Sequence, residues 1–342
     1  VEQNDPSILE EEIISIAPYG KRSKNAKELA ERCFVLTRKY LYYKKSEDDD
    51  KIRGVMDLNF TRTEFEGDDC PEDGGFNFSI KFIRNLKFTE IFTRSKEAYI
   101  EWKMLLSGIT IQTDFHNKFS VIKMIGKGSF ADKPFIFYFY AKVYLIERNS
   151  NKEKFAVKAF SKEYLKSQTN GKESLINEIT IMKAIHHPNV IELVEIHESQ
   201  NSLYLVMELL EGGEIFNLNQ GKLDNESTFL IFKGVLKALV ALDKQGIMHR
   251  DLKPDNIILK KKGVLMRDNI LKLVDFGLAT YQDVDEYLFK RCGTPGFVAP
   301  EVINAKRGEN VKYNTKCDVF SVGIIFFFML TGKIPYDGDD FQ

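Results

Sequence analysis

His249-Arg250-Asp251-Leu252-Lys253-Pro254-Asp255-Asn256 is the stretch on which the reading of this chain turns. It sets carboxylates, a lysine, an arginine and an amide side by side. It follows an apolar stripe at helical spacing formed by Phe229, Phe232, Val235, Leu236, Leu239 and Leu242. Downstream come Asp275-Phe276-Gly277 and Ala299-Pro300-Glu301. Upstream lie Lys158, in Phe155-Ala156-Val157-Lys158, and Glu178, on a predicted helix over 172–185. The series begins at Gly126-Lys127-Gly128-Ser129-Phe130. Alone, two glycines after an apolar strand are equally a hairpin; the order of everything behind them gives them weight.

Working outward, strand-like runs at 119–125, 142–147 and 155–161 precede the helix over 172–185, and two more follow at 190–197 and 203–209. Helical periodicity then takes over, so this region reads as a small sheet lobe followed by a helical lobe. The chain divides near residues 109–118. Before that point, short strand-like runs at 13–19, 33–43, 52–58, 76–82 and 89–93 alternate with polar or acidic turns. A helix over 95–107 follows, with Tyr99, Trp102, Leu105 and Leu106 at helical spacing. Several strands closed by one amphipathic helix predict a small barrel plugged by that helix. The expected division is a domain over 8–110, a linker over 111–118 and a second domain over 119–342.

Composition bounds the alternatives. A chain of 342 residues has room for two compact domains. A net charge of −1 supplies no global field for nucleic acid, so no nucleic-acid partner is expected. Cys33, Cys70, Cys292 and Cys317 form no Cys-x-x-Cys pair, which argues against a disulfide framework or zinc site and fits a reducing, cytoplasmic setting. The apolar run Val319 to Leu330 is shorter than the roughly 20 residues a bilayer span needs and reads as a buried helix. The first residue is Val1, so the amino end is expected to be trimmed.

Taken together, these motifs resemble the protein kinase superfamily, whose signature set runs in this order. The implied fold is α+β and bilobal, with a β-rich amino-terminal lobe and a helical carboxy-terminal lobe. The resemblance implies ATP and Mg2+ as cofactors. Ile125, Gly126, Lys127, Gly128, Ser129, Val143 and Ala156 would line the nucleotide, the glycines admitting backbone N–H groups to the phosphates. Lys158 would hold the α/β-phosphates, oriented by Glu178; Asn256 and Asp275 would hold magnesium with hard oxygen ligands. Asp251 would accept the substrate hydroxyl proton, and Lys253 would steady the γ-phosphate. The base would lie against Glu208–Leu210, with Met207 behind it and Glu214 toward the ribose or a basic substrate residue. His249 reads as structural. It would stack with Leu193, Met182 and Phe276, while Asp318 would tie down the His249–Asp251 loop.

Lys253 and Cys292-Gly293-Thr294-Pro295 resemble serine/threonine kinases, so protein Ser/Thr hydroxyls are the expected acceptors. Gly296-Phe297-Val298 and Glu211-Gly212-Gly213-Glu214 are most similar to the calcium/calmodulin-dependent group, implying basic residues upstream of the target. Between Asp275 and Cys292 the only hydroxyls are Thr280, Tyr281 and Tyr287, so activity without phosphorylation of this segment is expected, either with Asp285 and Glu286 as standing charge or because the loop needs no phosphate.

Departures matter too. Ala131–Tyr140 (ADKPFIFYFY) interrupts the phosphate loop; removing it joins Phe130 to Ala141 in a smooth kinase spelling. Unspliced or misassembled gene sequence is the leading reading and a lid-like insertion the alternative. The chain stops at Gln342, soon after the helix opening at Asp318, so the family's later helices are expected to be missing, leaving Glu301 without its arginine. The run Lys260–Asn269 is longer than usual and reads as a surface loop.

The region 8–110 resembles a pleckstrin-homology domain through Arg32-Cys33-Phe34-Val35-Leu36, Leu41-Tyr42-Tyr43 and Trp102 in the final helix. That resemblance implies phosphoinositide or membrane binding through residues 21–32, where Lys21, Arg22, Lys24, Lys27 and Arg32 cluster. Ala30, Glu28 and Glu31 dilute the patch, so a solvated basic loop stays open beside it. The two functional readings are a serine/threonine kinase, cytoplasmic and peripheral at membranes, and a non-catalytic kinase-fold scaffold with a lipid- or protein-binding module.

Overall fold

A computed structural model describes residues 6–22, 29–67, 78–127, 141–215, 223–264, 266–304 and 312–336. The first elements are α1 (Pro6–Glu10), β1 (Ile13–Arg22), β2 (Leu29–Thr37), β3 (Tyr40–Lys44), β4 (Gly54–Asp57), β5 (Arg62–Gly67), β6 (Phe78–Arg84), β7 (Lys87–Thr93), α2 (Lys96–Ser107), β8 (Ile111–Gln112) and α3 (Phe115–Lys118). There follow β9 (Phe119–Lys127), β10 (Ala141–Arg148), β11 (Lys154–Ser161), α4 (Lys162–Ser167), α5 (Gly171–Ala184), β12 (Leu193–Glu198) and β13 (Ser202–Glu208). The last are α6 (Asn225–Asp243), β14 (Ile247–Met248), β15 (Ile257–Leu259), β16 (Leu271–Leu273), β17 (Thr280–Tyr281), α7 (Pro300–Ile303) and α8 (Lys316–Thr331).

The chain forms two units, residues 1–120 with 194–206, and residues 121–193 with 207–342. In the first, the strand order is β4-β3-β2-β1-β7-β6-β5-β8-β12-β13. Alternation along β2 and β3 explains its two small cores. Phe34, Leu36 and Leu41 face the cluster around Trp102, whereas Val35, Tyr40 and Tyr42 face Ile8 and Ile52. Ser95 caps α2 by accepting from the Ala98 amide, and the helix lays Tyr99, Trp102 and Leu106 onto the first core. Trp102 is fully buried; its indole N–H donates to Ser15 Oγ at 3.1 Å and its ring lies 4.7 Å from that of Tyr19.

Three expectations are corrected here. The single strand predicted over 33–43 is a hairpin: Thr37 Oγ1 accepts from the Tyr40 amide at 2.8 Å and turns the chain between β2 and β3. Glu66 and Gly67, expected to open an acidic turn, close β5 instead: Thr63 and Phe65 alternate with Arg62, Glu64 and Glu66, and the strand pairs with β6 throughout. The predicted barrel is not closed among the described residues. β4 is only four residues long, and the chain leaves it through Phe60, at φ 56°, into β5 without a β4–β5 pairing.

In the second unit β11, β10 and β9 are neighbours in that order, and β10 and β11 are antiparallel, with Val143 opposite Lys158. α5 occupies the predicted span and buries Leu175, Glu178, Ile179 and Met182. α6 starts where Asp224 Oδ1 accepts from the Ser227 amide at 2.8 Å. It buries Thr228, Ile231, Val235, Ala238, Leu239 and Leu242. Val235, Leu239 and Leu242 of the predicted stripe are buried, but its Phe229 and Leu236 are exposed, because the face that meets β16 and α8 is centred further round, on Ile231, Val235 and Leu242. Gly234 permits that approach, since a Cβ there would lie 2.5 Å from the Leu271 side chain. α8, predicted buried, is so along one side only, with Ser321, Ile325 and Phe328 inward and Val319 and Phe327 exposed. Among the described residues no helix is long and apolar enough to cross a membrane.

Candidate active site

Lys158 stands on β11, opposite Val143, and reaches Glu178 in the middle of α5. Its amine lies 2.7 Å from Glu178 Oε1 and 2.9 Å from Asp275 Oδ1. Three groups remote in sequence thus share one buried ion cluster. Burial alone would push the amine's pKa down; the Asp275 and Glu178 carboxylates outweigh it and hold the lysine protonated well above its ordinary value. Asp275 is only half-buried, its side chain 29% exposed; desolvation pushes its carboxyl up, but the adjacent Lys158 charge and hydrogen bond outweigh this and keep it below the usual carboxylate range. Glu178 sits deeper, and burial pushes its carboxyl up against the pull of Lys158. Asp275 takes up φ 62°, a left-handed conformation rare for a non-glycine residue.

A second buried cluster surrounds Asp251. Thr294 Oγ1 donates to its Oδ1 at 2.6 Å, Lys253 Nζ stands 3.3 Å from its Oδ2, and Lys253 Nζ also donates to Thr294 Oγ1 at 3.0 Å. Asn256 Nδ2 donates to the Asp251 carbonyl at 2.8 Å and to its Oδ2 at 3.2 Å. Burial raises the Asp251 pKa, with Lys253 and Thr294 opposing. Gly293, at φ 105°, is required here: a Cβ would meet the Arg250 carbonyl oxygen at 2.6 Å.

The loop holding Asp251 is fixed from beneath. Asp318 Oδ2 accepts from the His249 amide at 2.7 Å and Oδ1 from the Arg250 amide at 2.8 Å. Burial raises the Asp318 pKa against these bonds. His249 Nε2 lies 3.1 Å from the Val274 carbonyl, and its ring stands 5.0 Å from that of Phe276. Met182, Leu193, His249 and Phe276 are all buried.

On the nucleotide side, Ala156 is buried, Val143 half-buried and Ile125 exposed. A Cβ on Gly126 would stand 3.5 Å from Val143 Cβ. Gly128 and Ser129, with the run 131–140, lie outside the described residues, as does the side chain of Lys127. Met207, Glu208, Leu210 and Glu214 are half-buried. The Glu208 carboxylate is drawn to Lys272 at 2.5 Å and Lys260 at 3.1 Å, which leaves only its backbone for a base. Glu214 bridges to Ile258 through its main chain. Of the basic run at 21–32, residues 23–28 lie outside the described residues; Lys21 Nζ sits 3.9 Å above the Tyr43 ring and Arg32 donates to the Glu31 carbonyl at 2.7 Å.

Two residues that no motif singles out belong to this site. Asn177 Nδ2 donates to the Ala279 carbonyl at 2.6 Å, fixing the segment after Asp275 against α5. Tyr313 accepts from Arg250 Nη1 at 2.9 Å. Neither stands in a motif, and the sequence separation from their partners leaves no local trace.

The protein kinase domain pattern matches residues 119–342. The chain is 32% identical over 241 residues to Calcium-dependent protein kinase 4 of Plasmodium berghei (strain Anka), a match covering 69% of this chain and 42% of that protein. It is 34% identical over 224 residues to the Probable serine/threonine-protein kinase fhkE of Dictyostelium discoideum, covering 65% and 30%. It is 32% identical over 227 residues to CBL-interacting serine/threonine-protein kinase 5 of Arabidopsis thaliana, covering 65% and 46%. The matched part of the chain spans less than half the length of these relatives. With the match running over most of its length, and with both buried charge clusters lying wholly inside the matched residues, the chain belongs to the protein kinase family.

Proposed function

We propose that this protein is a serine/threonine protein kinase, transferring the γ-phosphate of ATP to Ser and Thr hydroxyls of protein substrates. The observation that carries the reading is the Lys158 amine held between Glu178 and Asp275 at 2.7 and 2.9 Å. Phosphoryl transfer passes through a loose, charge-rich transition state, so its catalysis is mainly positioning and charge neutralisation. A lysine pinned by two carboxylates is pre-set to meet the α/β-phosphates without reorganising. Asp251 accepts the acceptor hydroxyl's proton; Thr294 and Lys253 fix its two oxygens, and Lys253 neutralises the γ-phosphate. Asp275, kept ionised by Lys158, and the Asn256 side-chain oxygen form a hard-oxygen donor set that suits Mg2+. When bound, Mg2+ supplies charge neutralisation at the phosphates.

The two calcium- and CBL-named relatives support a place near the calcium/calmodulin-dependent group, and with it a preference for basic residues upstream of the acceptor. A peptide array with no arginine or lysine preference would remove that refinement. For the kinase reading, the assay is labelled phosphate transfer from Mg-ATP to a basic Ser/Thr peptide. Wild type incorporates label and Asp251→Asn loses it; a wild type that binds nucleotide without turnover would instead support the scaffold reading, which draws on the interrupted phosphate loop.

The first unit reads as pleckstrin-homology-like. Its support is the seven-strand order β4-β3-β2-β1-β7-β6-β5 with α2 packed on the core through Trp102. Binding of an anionic membrane from the cytoplasm through residues 21–32 follows from that reading and is tested by co-sedimentation with phosphoinositide liposomes.

A further inference from the structure

The arginine beside the catalytic aspartate has its own unusual surroundings. Arg250 adopts φ 66°, its amide is held by Asp318, and the residue is 5% exposed. Its Nε donates to the Leu278 carbonyl at 2.8 Å, and Nη1 donates to the Phe289 carbonyl at 2.6 Å and to Tyr313 Oη at 2.9 Å. Tyr313 Oη in turn donates to the Lys290 carbonyl at 3.2 Å. Tyr287 Oη donates to the Tyr313 carbonyl at 2.9 Å, and the two rings lie 4.8 Å apart. Lys312 Nζ bonds the Val284 carbonyl from the same side. Both ends of the stretch from Leu278 to Lys290 are therefore tied to one guanidinium and one phenol.

Every one of these acceptors is a neutral carbonyl or hydroxyl. Burial works against the guanidinium charge, yet Arg250 is held above its ordinary pKa by the groups around it, Tyr313 among them. The hydroxyls of the stretch itself are not offered to a modifying enzyme: Thr280 is 5% and Tyr287 3% exposed, and Tyr281 is half-buried. The cluster is packed, with Met248, Tyr287, Val298, Ala299, Tyr313 and Cys317 forming one small core.

We propose that Tyr313 is a positioning residue for phosphoryl transfer: its phenol, between Arg250 and the Lys290 carbonyl, orders the segment from Asp275 to Glu301 and does so with no phosphate on that segment. The proposal rests on the kinase reading above. Tyr313 touches no reacting atom. It acts through Arg250, whose neighbour Asp251 is paired with Thr294 of the same segment, so slack between Leu278 and Lys290 is passed to the Asp251–Thr294 bond.

The test uses the full chain carrying Tyr313→Phe, which keeps the ring and removes the hydroxyl, and separately Tyr287→Phe, which frees the Tyr313 carbonyl without removing any Arg250 hydrogen bond. Tyr313→Phe is expected to lower kcat about 10- to 100-fold with KM for ATP unchanged. Amide exchange should quicken across 278–292 and stay unchanged in α6; Tyr287→Phe should move both readouts the same way by less. Treating the wild type with a broad-specificity phosphatase should leave kcat intact. Wild-type kcat and exchange in Tyr313→Phe, or loss of wild-type activity on phosphatase treatment, overturns the proposal. A wild type without transferase activity defeats the kinase reading instead, and the exchange measurement then decides the role of Tyr313 by itself.

Discussion

Asp318 shows how much one side chain carries. Its two carboxylate oxygens take the amides of His249 and Arg250, at 2.7 and 2.8 Å, in a place where water does not reach. Removing the acceptor strands two buried N–H groups, at about 1–3 kcal/mol each. Asp318→Ala should therefore lower the urea midpoint and also depress kcat, since those amides set the Asp251 loop. Asp318→Asn, which keeps one acceptor, should fall between; a variant with wild-type midpoint and kcat would show that the loop holds its shape unaided. Lys158 and Asp275 were legible at this scale because each stands in a short motif that the family shares, and Glu178 from its place on the helix between them. Tyr313 was not, since nothing near it in sequence points to Arg250.

At the scale of elements, α6 makes a counter-intuitive prediction. Glycine inside a helix normally costs about 0.5–1 kcal/mol relative to alanine, so replacing it usually stabilises. Gly234 faces Leu271 of β16 with no room for a methyl group. Gly234→Ala should destabilise the second unit by about 1–3 kcal/mol through overpacking, read from the denaturant midpoint. A gain in stability would mean that β16 gives way. The apolar stripe of α6 was plain from spacing, and its Val235, Leu239 and Leu242 are buried; that its Phe229 and Leu236 stay exposed is decided by where β16 and α8 pack.

The contact between α3 and β12 supplies a pH dependence. His197 is fully buried, with Nε2 2.8 Å from Glu195 Oε2 and Nδ1 3.4 Å from Asp114 Oδ1, and Lys118 also reaches Glu195 at 2.8 Å. Phe115 and Phe119 pack edge-on to the ring, and His116 and Tyr204 complete the surroundings. Burial lowers the His197 pKa, but the two carboxylates outweigh it and the result is raised. Its contribution to stability is then fully present below the unfolded value of about 6.5 and is lost as pH rises through the raised folded value. Asp114 and Glu195 are lowered, so theirs is lost as pH falls through the acid range. The first unit, followed by the fluorescence of Trp102, should lose stability from neutral to alkaline pH, and His197→Gln should flatten that limb. An unchanged limb in the variant would exclude His197 as its source.

For the whole molecule, the run Ala131–Tyr140 poses the question that matters most for activity. Deleting it joins Gly126-Lys127-Gly128-Ser129-Phe130 to Ala141-Lys142-Val143, which on the proposed kinase reading makes the phosphate loop continuous in sequence. The deletion is expected to lower KM for ATP several-fold while leaving the Trp102 unfolding transition of the first unit where it was. If KM rises instead, the run is part of the nucleotide site. Trp102, the sole tryptophan, makes the two readouts separable because it reports on the first unit.

Membership of the family was legible in the residues alone, and so were the candidates for its site, because phosphate chemistry demands particular side chains in short, ordered motifs whose meaning survives without any knowledge of contacts. How those residues are held is visible in the fold alone. Arg250 is paired with Tyr313, His197 is caught between Asp114 and Glu195, and α6 turns Val235 rather than Leu236 inward. Each of these depends on burial and on partners distant along the chain, and neither quantity is written in local spacing.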